Sequence, residues 1–237
     1  MKIKKMLLAM TVCMAVATPL YAAGDKPMDM SADVIEYDST TGVMTATGSV
    51  KMIQENAVVT GAKAIYNTKS KEADIIGGVH MVKEDLDLTA ANVKSINNQH
   101  IIAVGDVVMV KGTSTLTGPQ ADYFVDRDYV LINSDARISM PDGVMTSDKL
   151  EHYVKENRAV GTGNVHIVSP TRKLDATGDV ATYYGAEGQQ GKIVLSGNAV
   201  AVQENNTLRG KTLTMYLEEK PAASNNPSAL VIQPDEK

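Results

Sequence analysis

Apolar and polar residues alternate with a period of two along most of the chain after residue 24. In residues 44–52, for example, Met44, Ala46, Val50 and Met52 fall on one face, and Thr, Ser and Lys residues fall on the other. This alternation is typical of β-strands that have one covered face. We find no run with clean helical periodicity beyond residue 24, so the pattern predicts an all-β chain.

Two short phrases recur along the chain at a regular interval. The first is a turn followed by a strand, and its turn position falls at Gly48, Gly77, Gly105, Ser134, Gly163 and Gly197. The interval is about 29 residues, and the polar insert GAEGQQG at 185–191 lengthens the last one. The second phrase begins near residues 30, 60, 89, 117, 146, 177 and 209. A fixed interval of this kind predicts a stack of equivalent structural units.

Short polar connections separate the predicted strands, for example DSTTG at 38–42 and NTKSK at 67–71. Because short connections join antiparallel neighbours, we predict a repetitive antiparallel architecture in which two sheets face each other. If each repeat gives one strand to each sheet, the body is about 30 Å long and open at both ends. The terminal strands, 30–37 and 208–217, lack obvious edge blockers such as proline, so we expect copies to join end to end.

Stacking the repeats places residues of similar character in rows between the two predicted sheets. Small residues interrupt these apolar rows, and one Phe and no Trp are present to fill the space. The rows fit either an ordinary core or a lumen that accepts an acyl chain, and Met residues would give such a lumen an adaptable lining. The predicted lumen residues are Val34, Met44, Ala46, Val50, Met52, Ala64, Ile75, Val79, Met81, Val93, Ala103, Val107, Met109, Ala121, Ile132, Ile138, Leu150, Val165, Ile167, Ala181, Leu195, Ala199 and Leu213.

Residues 1–24 have the pattern of a cleaved secretory signal peptide. Three lysines precede an apolar segment of about a dozen residues, and small residues follow Pro19. A membrane-spanning helix needs about 20 apolar residues, so a retained anchor is the weaker interpretation. Removing the leader removes Cys13, the single cysteine, so we expect neither disulfides nor thiolate metal sites. We predict one domain over 29–219 and a disordered tail over 220–237, which is rich in Pro, Ser, Asn and Ala and carries no repeat.

The charge and the polar residues argue against several functional classes. A net charge of −5 at pH 7 disfavours nucleic acid as a partner. No nucleophile, base and acid occur in a recognisable catalytic pattern, and no phosphate-binding loop is present. We therefore predict no enzyme activity, no catalytic residues and no cofactor.

The candidate metal ligands of the chain are its four histidines and an acidic run. His80 and His166 fall in one polar column three repeats apart, which is too far to share a metal, and His100 falls in a predicted turn. We expect exposed structural histidines at these positions and at His152, and no metal site. The acidic run at 84–87 lacks the twelve-residue pattern of a calcium loop and fits a solvated turn better.

The segments at 47–66 and 193–220 resemble the LptA/OstA-like family of lipopolysaccharide-transport proteins. The shared features are a Gly-Asn-Val-like turn, an alternating strand that ends near Gln, and a Gly-x-x-x-x-Tyr-like strand. They occur as Gly48, Val50, Gln54, Gly61 and Tyr66, and again as Gly197, Asn198, Ala199, Gln203, Gly210 and Tyr216. The similarity extends over about residues 30–219, and Ser134, Ala136 and the insert at 185–191 depart from it.

The resemblance implies a periplasmic β-jellyroll that binds lipid A acyl chains in its interior and joins end to end. The partners that it implies are lipopolysaccharide, further copies of the chain, and the inner- and outer-membrane components of the export machinery. Members of the family are not enzymes and use no cofactor.

Other interpretations of the same sequence remain open. An inner-membrane-anchored member of the same pathway would share the fold and keep its leader. A repetitive envelope scaffold or adhesin module would have a dry core and no lipid cargo. A repetitive β-solenoid enzyme acting on polysaccharide would need carboxylates clustered on one sheet face, whereas the polar columns here mix charges.

Overall fold

The computed structural model describes residues 27–185 and 191–217, and strands make up nearly all of their regular structure. The predicted signal peptide at 1–24 and the predicted tail at 220–237 lie outside the described residues, as does most of the insert at 185–191. Two single 3₁₀ turns, Val154–Glu156 and Pro170–Arg172, interrupt the strands. In the described part of the chain, no helix has the length and apolar character needed to cross a membrane.

The strands are numbered in chain order within the described residues. They are β1 (Met28–Ser31), β2 (Val34–Asp38), β3 (Val43–Gln54), β4 (Ala57–Asn67), β5 (Glu72–Lys83), β6 (Leu86–Ile96), β7 (His100–Lys111), β8 (Ser114–Phe124), β9 (Tyr129–Ile132), β10 (Ala136–Met140), β11 (Gly143–Ser147), β12 (Lys149–Tyr153), β13 (Arg158–Ser169), β14 (Leu174–Tyr184), β15 (Gly191–Gln203) and β16 (Asn206–Leu217).

Neighbouring strands pair in antiparallel fashion throughout, and most pairs are consecutive in the chain. The ladder runs in the order β1-β3-β4-β5-β6-β7-β8-β10-β11-β13-β14-β15-β16, while β2, β9 and β12 pair beside this path. The period-two alternation explains the pairing, since one face of each strand is covered by apolar neighbours. The prediction of a repetitive antiparallel all-β jellyroll is confirmed.

A β-bulge lies near the middle of β3, β5, β7, β13 and β15. In β3 the register with β4 shifts between Thr47 and Val50, and the intervening Gly48 and Ser49 have φ angles of +80° and +47°. Glycine adopts this left-handed region at little cost, which explains the glycine at the first position of the turn phrase. A bulge bends its strand, so a row of bulges folds the ladder along one line. We call this row the spine.

The spine divides the ladder into two facing layers. The tyrosine layer contains β2, β9, β12 and the halves of the long strands that lie on the same side of the spine. The lysine layer contains β1, β10, β11 and the other halves. β3, for example, begins in the tyrosine layer and passes into the lysine layer after its bulge. Side chains from both layers line one interior cavity. We call the edge opposite the spine, where turns of the two layers approach each other, the seam.

The described part of the ladder is about twice as long as the sequence predicts. Both strands of a repeat pass through both layers, so each layer receives two strand segments per repeat rather than one. The path of thirteen strands in the described residues therefore spans about 60 Å, given about 4.8 Å per strand. The prediction of one strand per sheet was wrong because each repeat contains an additional turn. Glu55–Asn56, for example, ends β3 and leads into β4, so the repeat supplies two long strands that each cross both layers.

The departure from glycine at Ser134 coincides with a break in the strand. Here β9 ends at Ile132 and β10 begins at Ala136, and Asp135 alone carries a positive φ, of 47°. A bulge that needs two successive left-handed residues is unfavourable when the first of them carries a Cβ. The chain therefore forms two short strands instead of one bent strand.

Carboxylates occupy the outside of the spine opposite several of its glycines. The amide of Asn164 donates to both oxygens of Asp148, at 3.1 and 2.9 Å, beside Gly163. A Cβ on Gly163 would collide with the Asp148 carboxylate, so the glycine is required by space as well as by its φ of +78°. The amide of Asn198 pairs with Asp179 in the same way, at 3.4 and 3.1 Å.

Candidate functional site

An interior cavity of about 560 Å³ lies between the two layers in the N-terminal half of the described chain. Its volume falls in the range of about 300–1,000 Å³ that is usual for ligand pockets. The lysine layer contributes the apolar side chains of Met28, Met52, Ala57, Val59, Met81 and Leu86. The tyrosine layer contributes Tyr66, Ala73, Ile75, Val93, Ile101 and Tyr123. The walls of the cavity are therefore mainly aliphatic, with tyrosines on one side.

Polar side chains line the cavity where it reaches the seam. In β3, β5 and β7 the inward column continues past Met52, Met81 and Met109 to Gln54, Lys83 and Lys111, two residues further on. The cavity is also lined by Glu55, Glu84, Asn98, Asp128 and Lys155, which lie in or beside turns. Because the apolar walls end in a polar rim, the cavity has the character of a site for an amphiphile.

Lys111 is a buried lysine that connects the two layers at the seam. Its side chain is 9% exposed, and its Nζ donates to Asp85 Oδ1 at 2.6 Å and lies 3.6 Å from Asp128 Oδ1. The hydroxyl of Tyr123 donates to the same Asp128 oxygen at 2.8 Å. A buried ammonium needs such counter-charges, because an unpaired charge away from water is costly.

The pKa values of Asp85 and Tyr123 reflect their burial and their hydrogen bonds. The hydrogen bond from Lys111 lowers the pKa of Asp85, against a smaller opposing effect of burial. Burial raises the pKa of Tyr123, and its hydrogen bond to Asp128 raises it further, so the phenol stays protonated as a donor. The cluster is therefore a network of a cation, two carboxylates and a neutral phenol.

A second polar contact crosses the seam nearer the N-terminal end. The amide of Asn98, in the turn after β6, donates to Gln54 Oε1 at 3.2 Å. These residues are 44 positions apart and come from opposite layers. Together with Lys111 and Asp128, this contact joins the rims of the cavity without filling its interior.

The interior beyond Lys111 is packed by the protein's own side chains. Leu116, Ile132, Ile138, Met145 and Leu150 are each at most 1% exposed. A second cavity further along, between Met140 and Leu217, measures about 20 Å³, which is close to the space needed for one water molecule. The described interior thus has a wide section at its N-terminal end and a packed section after it.

His152 lies in the tyrosine layer at the start of the packed section. It is 5% exposed, and no hydrogen-bond partner for its Nδ1 is present among the described residues. Burial lowers the pKa of His152 to about 4, and the nearby charge of Asp128 opposes this shift. The expectation of an exposed histidine was wrong at this position, because period two places His152 on the inward face after Leu150.

The other three histidines lie on the outer faces and pair with aspartates. His80 Nε2 lies 3.0 Å from Asp87, and His166 Nε2 lies 2.9 Å from Asp175, at equivalent positions of the lysine layer. His100 pairs with Asp122 at 2.8 Å, and it begins β7 rather than lying in a turn. Within the described ranges, no three His, Cys, Asp or Glu side chains come together in a way that could hold a metal ion.

The acidic run at 84–87 is engaged by neighbouring side chains. Glu84 accepts a hydrogen bond from Asn56 at 2.9 Å, and Asp85 and Asp87 pair with Lys111 and His80. The carboxylates therefore point to different partners and do not converge.

Most residues of the predicted lumen are buried between the layers, and four of them line the large cavity. Those four are Met52, Ile75, Met81 and Val93. Met44 is half-buried near the open end of the tyrosine layer. The residues that are buried but do not line the cavity are Ala46, Val50, Ala64, Val79, Ala103, Val107, Met109, Ala121, Ile132, Ile138, Leu150, Val165, Ile167, Ala181, Leu195, Ala199 and Leu213.

Val34 differs from the rest of the predicted lumen because it is 56% exposed. It pairs with Thr47 on the outer face, whereas Ile35 pairs with Ala46 and so continues the inward column. A shift of one residue in register moves a side chain to the other face of a sheet. The repeat alignment misplaced β2 by one residue.

The polar rim and the tyrosines of the cavity are not among the predicted lumen residues. Extending the inward column of β5 and β7 by two residues would have found Lys83 and Lys111. Tyr66 and Tyr123 are the last residues of the second phrase in their repeats. They lie two residues after Ala64 and Ala121, so the inward column of that phrase leads to them. Val59 in β4 and Leu86 in β6 lie between the two recurring phrases and belong to neither of them.

The sequence of the chain matches a known protein family. Residues 87–221, more than half of the chain, match the family described as LptA/(LptD N-terminal domain) LPS transport protein. No curated protein sequence matches the chain. Among solved structures, the chain is similar to LptH from Pseudomonas aeruginosa, described as the LptA homologous periplasmic component of the conserved lipopolysaccharide transport device. The identity is 15%, the TM-score is 0.35, and the alignment covers 60% of this chain and 94% of that one.

Proposed function

Because the chain belongs to the LptA/(LptD N-terminal domain) family of lipopolysaccharide transport proteins, we propose that it is a periplasmic bridge that carries lipid A acyl chains between its two layers. The observation that carries this proposal is the cavity of about 560 Å³ with aliphatic walls and a polar rim. Acyl chains would lie against residues such as Met52 and Met81, and the sugar headgroup would leave through the seam.

The energy of burying hydrocarbon supports this use of the cavity. Each methylene that leaves water gains about 0.8 kcal/mol, so a chain of a dozen carbons gains about 10 kcal/mol. Methionines suit such a wall, because their flexible thioethers adapt to a guest of variable shape. The role is one of binding and transfer, with no catalytic step and no cofactor.

End-to-end assembly is part of the same proposal. β2 pairs only with β3 and β16 only with β15 among the described residues, so both ends of the ladder have unpaired backbone groups. Ile35 and Tyr37, in the terminal strand β2, continue the inward columns of β3. They are nevertheless 43% and 52% exposed, because no described strand lies beyond β2 to cover them. A strand from a second copy, or from an inner- or outer-membrane component of the export machinery, would continue the columns.

Site-specific photo-crosslinking to lipopolysaccharide tests the proposal. A crosslinker at Met52, Met81 or Val93 is expected to label the lipid, because these side chains line the cavity. A crosslinker at Lys51, which is exposed on the outer face of β3, serves as the control. Equal labelling at Lys51 and Met52 would contradict the proposal.

A further inference from the structure

Two lysines at equivalent positions on the rim of the cavity have different surroundings. Lys83 and Lys111 each end an inward column of the lysine layer and lie two strands apart, about 10 Å along the ladder. Lys111 is held by two carboxylates. The ammonium of Lys83 has neither a hydrogen bond nor an ion pair with any residue that the structure describes.

The surroundings of Lys83 favour the binding of an anion by its ammonium group. It is half-buried, it lines the cavity, and its ladder partners on either side are the apolar residues Ala57 and Leu86. The adjacent carboxylate of Glu84 is exposed and is hydrogen-bonded by Asn56. A cation in an apolar wall is favourable when an anion meets it there.

A second lysine lines the same cavity from the opposite layer. Lys155, in the turn after β12, reaches the rim and contacts the backbone oxygen of Asp126 at 3.4 Å, a long hydrogen bond. Three carboxylates also line the cavity: Asp128 is already bound by Lys111 and Tyr123, Glu84 is hydrogen-bonded by Asn56, and Glu55 lies in the turn after β3. The two layers therefore each present one lysine without a carboxylate partner among the described residues.

We propose that Lys83 and Lys155 bind a phosphate group of an amphiphile whose acyl chains occupy the cavity. This inference rests on the proposed function and adds to it the chemical group that fixes the headgroup at the seam. Ammonium groups form charge-assisted hydrogen bonds with phosphate oxygens, and the partly apolar rim strengthens them. Lys111 does not take this role, because Asp85 and Asp128 already neutralise it.

Binding of lipid A with and without its phosphates tests the assignment. Affinities are measured by displacement of a fluorescent acyl probe for wild type, for Lys83→Met with Lys155→Met, and for Lys63→Met. Lys63 is exposed on the outer face of β4 and is the matched control. The double variant is expected to bind phosphorylated lipid A about tenfold more weakly, with no change for the dephosphorylated lipid. Lys63→Met is expected to match wild type for both lipids.

The outcomes separate this inference from the proposed function. If wild type binds both lipids and the double variant loses affinity for neither, or for both equally, the phosphate assignment is overturned while lipid transport stands. If wild type binds neither lipid, the proposed function fails and the inference fails with it. Inorganic phosphate is tested alone, and displacement of the lipid by it at comparable concentration would assign the lysines to free phosphate rather than to a lipid headgroup. Unfolding curves of the variants check that each is folded.

Discussion

Lys111 of the lysine layer and Asp128 of the tyrosine layer face each other across the seam, with 3.6 Å between Nζ and Oδ1. Lys111 ends β7 and Asp128 lies in the turn before β9, so their attraction holds the two layers together at a point far from the spine. The same point separates the wide section of the interior from the packed section, where Leu116 and Leu150 are buried. The pair therefore marks where a guest in the cavity would meet the closed part of the ladder.

We predict that Lys111→Met destabilises the fold by about 2 kcal/mol. Methionine keeps the volume of the lysine stem but leaves Asp128, which is 17% exposed, without its cation. The free energy of unfolding in urea measures the effect. Lys149→Met is the control, because Lys149 is 41% exposed and pairs with Glu151 at the surface. Its cost is expected to stay below about 1 kcal/mol, and equal costs for the two variants would contradict the role given to Lys111.

We predict that His152 makes the fold less stable as the pH falls from about 6.5 to about 4. The pKa of His152 is lowered to about 4 in the folded state, so in this range the unfolded chain binds a proton that the folded chain does not. The resulting loss is up to about 3 kcal/mol, complete below the folded pKa. His152→Leu is expected to remove this dependence, as measured by urea unfolding between pH 4 and pH 7.5.

A control variant distinguishes His152 from a general effect of acid. His166 lies on the outer face and pairs with Asp175, so His166→Leu is expected to keep the pH dependence that arises at His152. The same slope in wild type and His152→Leu would show that other groups cause the loss.

The strand pattern and the inward columns can be predicted from the sequence, because each depends on residues that are near one another in the chain. Val107 and Met109 are buried as period two requires, and Gly48 marks a bend because few other residues tolerate its φ. The register of β2 does not follow from the alternation. Val34 and Ile35 are both apolar, so the repeat alignment had no polar residue with which to choose the inward one.

The open and packed sections of the interior could not be predicted from the pattern alone. Whether space remains between the layers depends on the sizes of the side chains that line it from each layer, such as Met52 and Tyr66, which the repeat does not pair. The contact of Lys111 with Asp128 has the same origin, since it depends on which turn of one layer faces which turn of the other. Those relationships are set by the bend at the spine and not by local alternation.

We predict that a side chain destabilises the fold at Gly77 and not at Gly78, the two adjacent glycines of the β5 bulge. Gly77 has a φ of +86°, and a Cβ there would lie 2.8 Å from the Cβ of Ala62, so Gly77→Ala is expected to cost about 2 kcal/mol or more. Gly78 has a φ of +62° with no atom within 4 Å of an added Cβ. Asn164 and Asn198 occupy the equivalent position, so Gly78→Asn is expected to change stability by less than about 0.5 kcal/mol. Thermal unfolding of both variants tests this, and similar losses would argue against the bulge geometry.

We predict that Ile35→Lys weakens self-association at least about tenfold. Ile35 is 43% exposed at the end of the ladder although it continues the inward column, so a second copy that extends the ladder would bury it. A lysine there would place an unpaired charge in the new interface. Val108→Lys is the control, since Val108 is similarly exposed, at 40%, but lies on the outer face of β7 within the ladder. Sedimentation velocity over a range of concentrations reports the association, and loss of association in both variants, or in neither, would rule out assembly through this end.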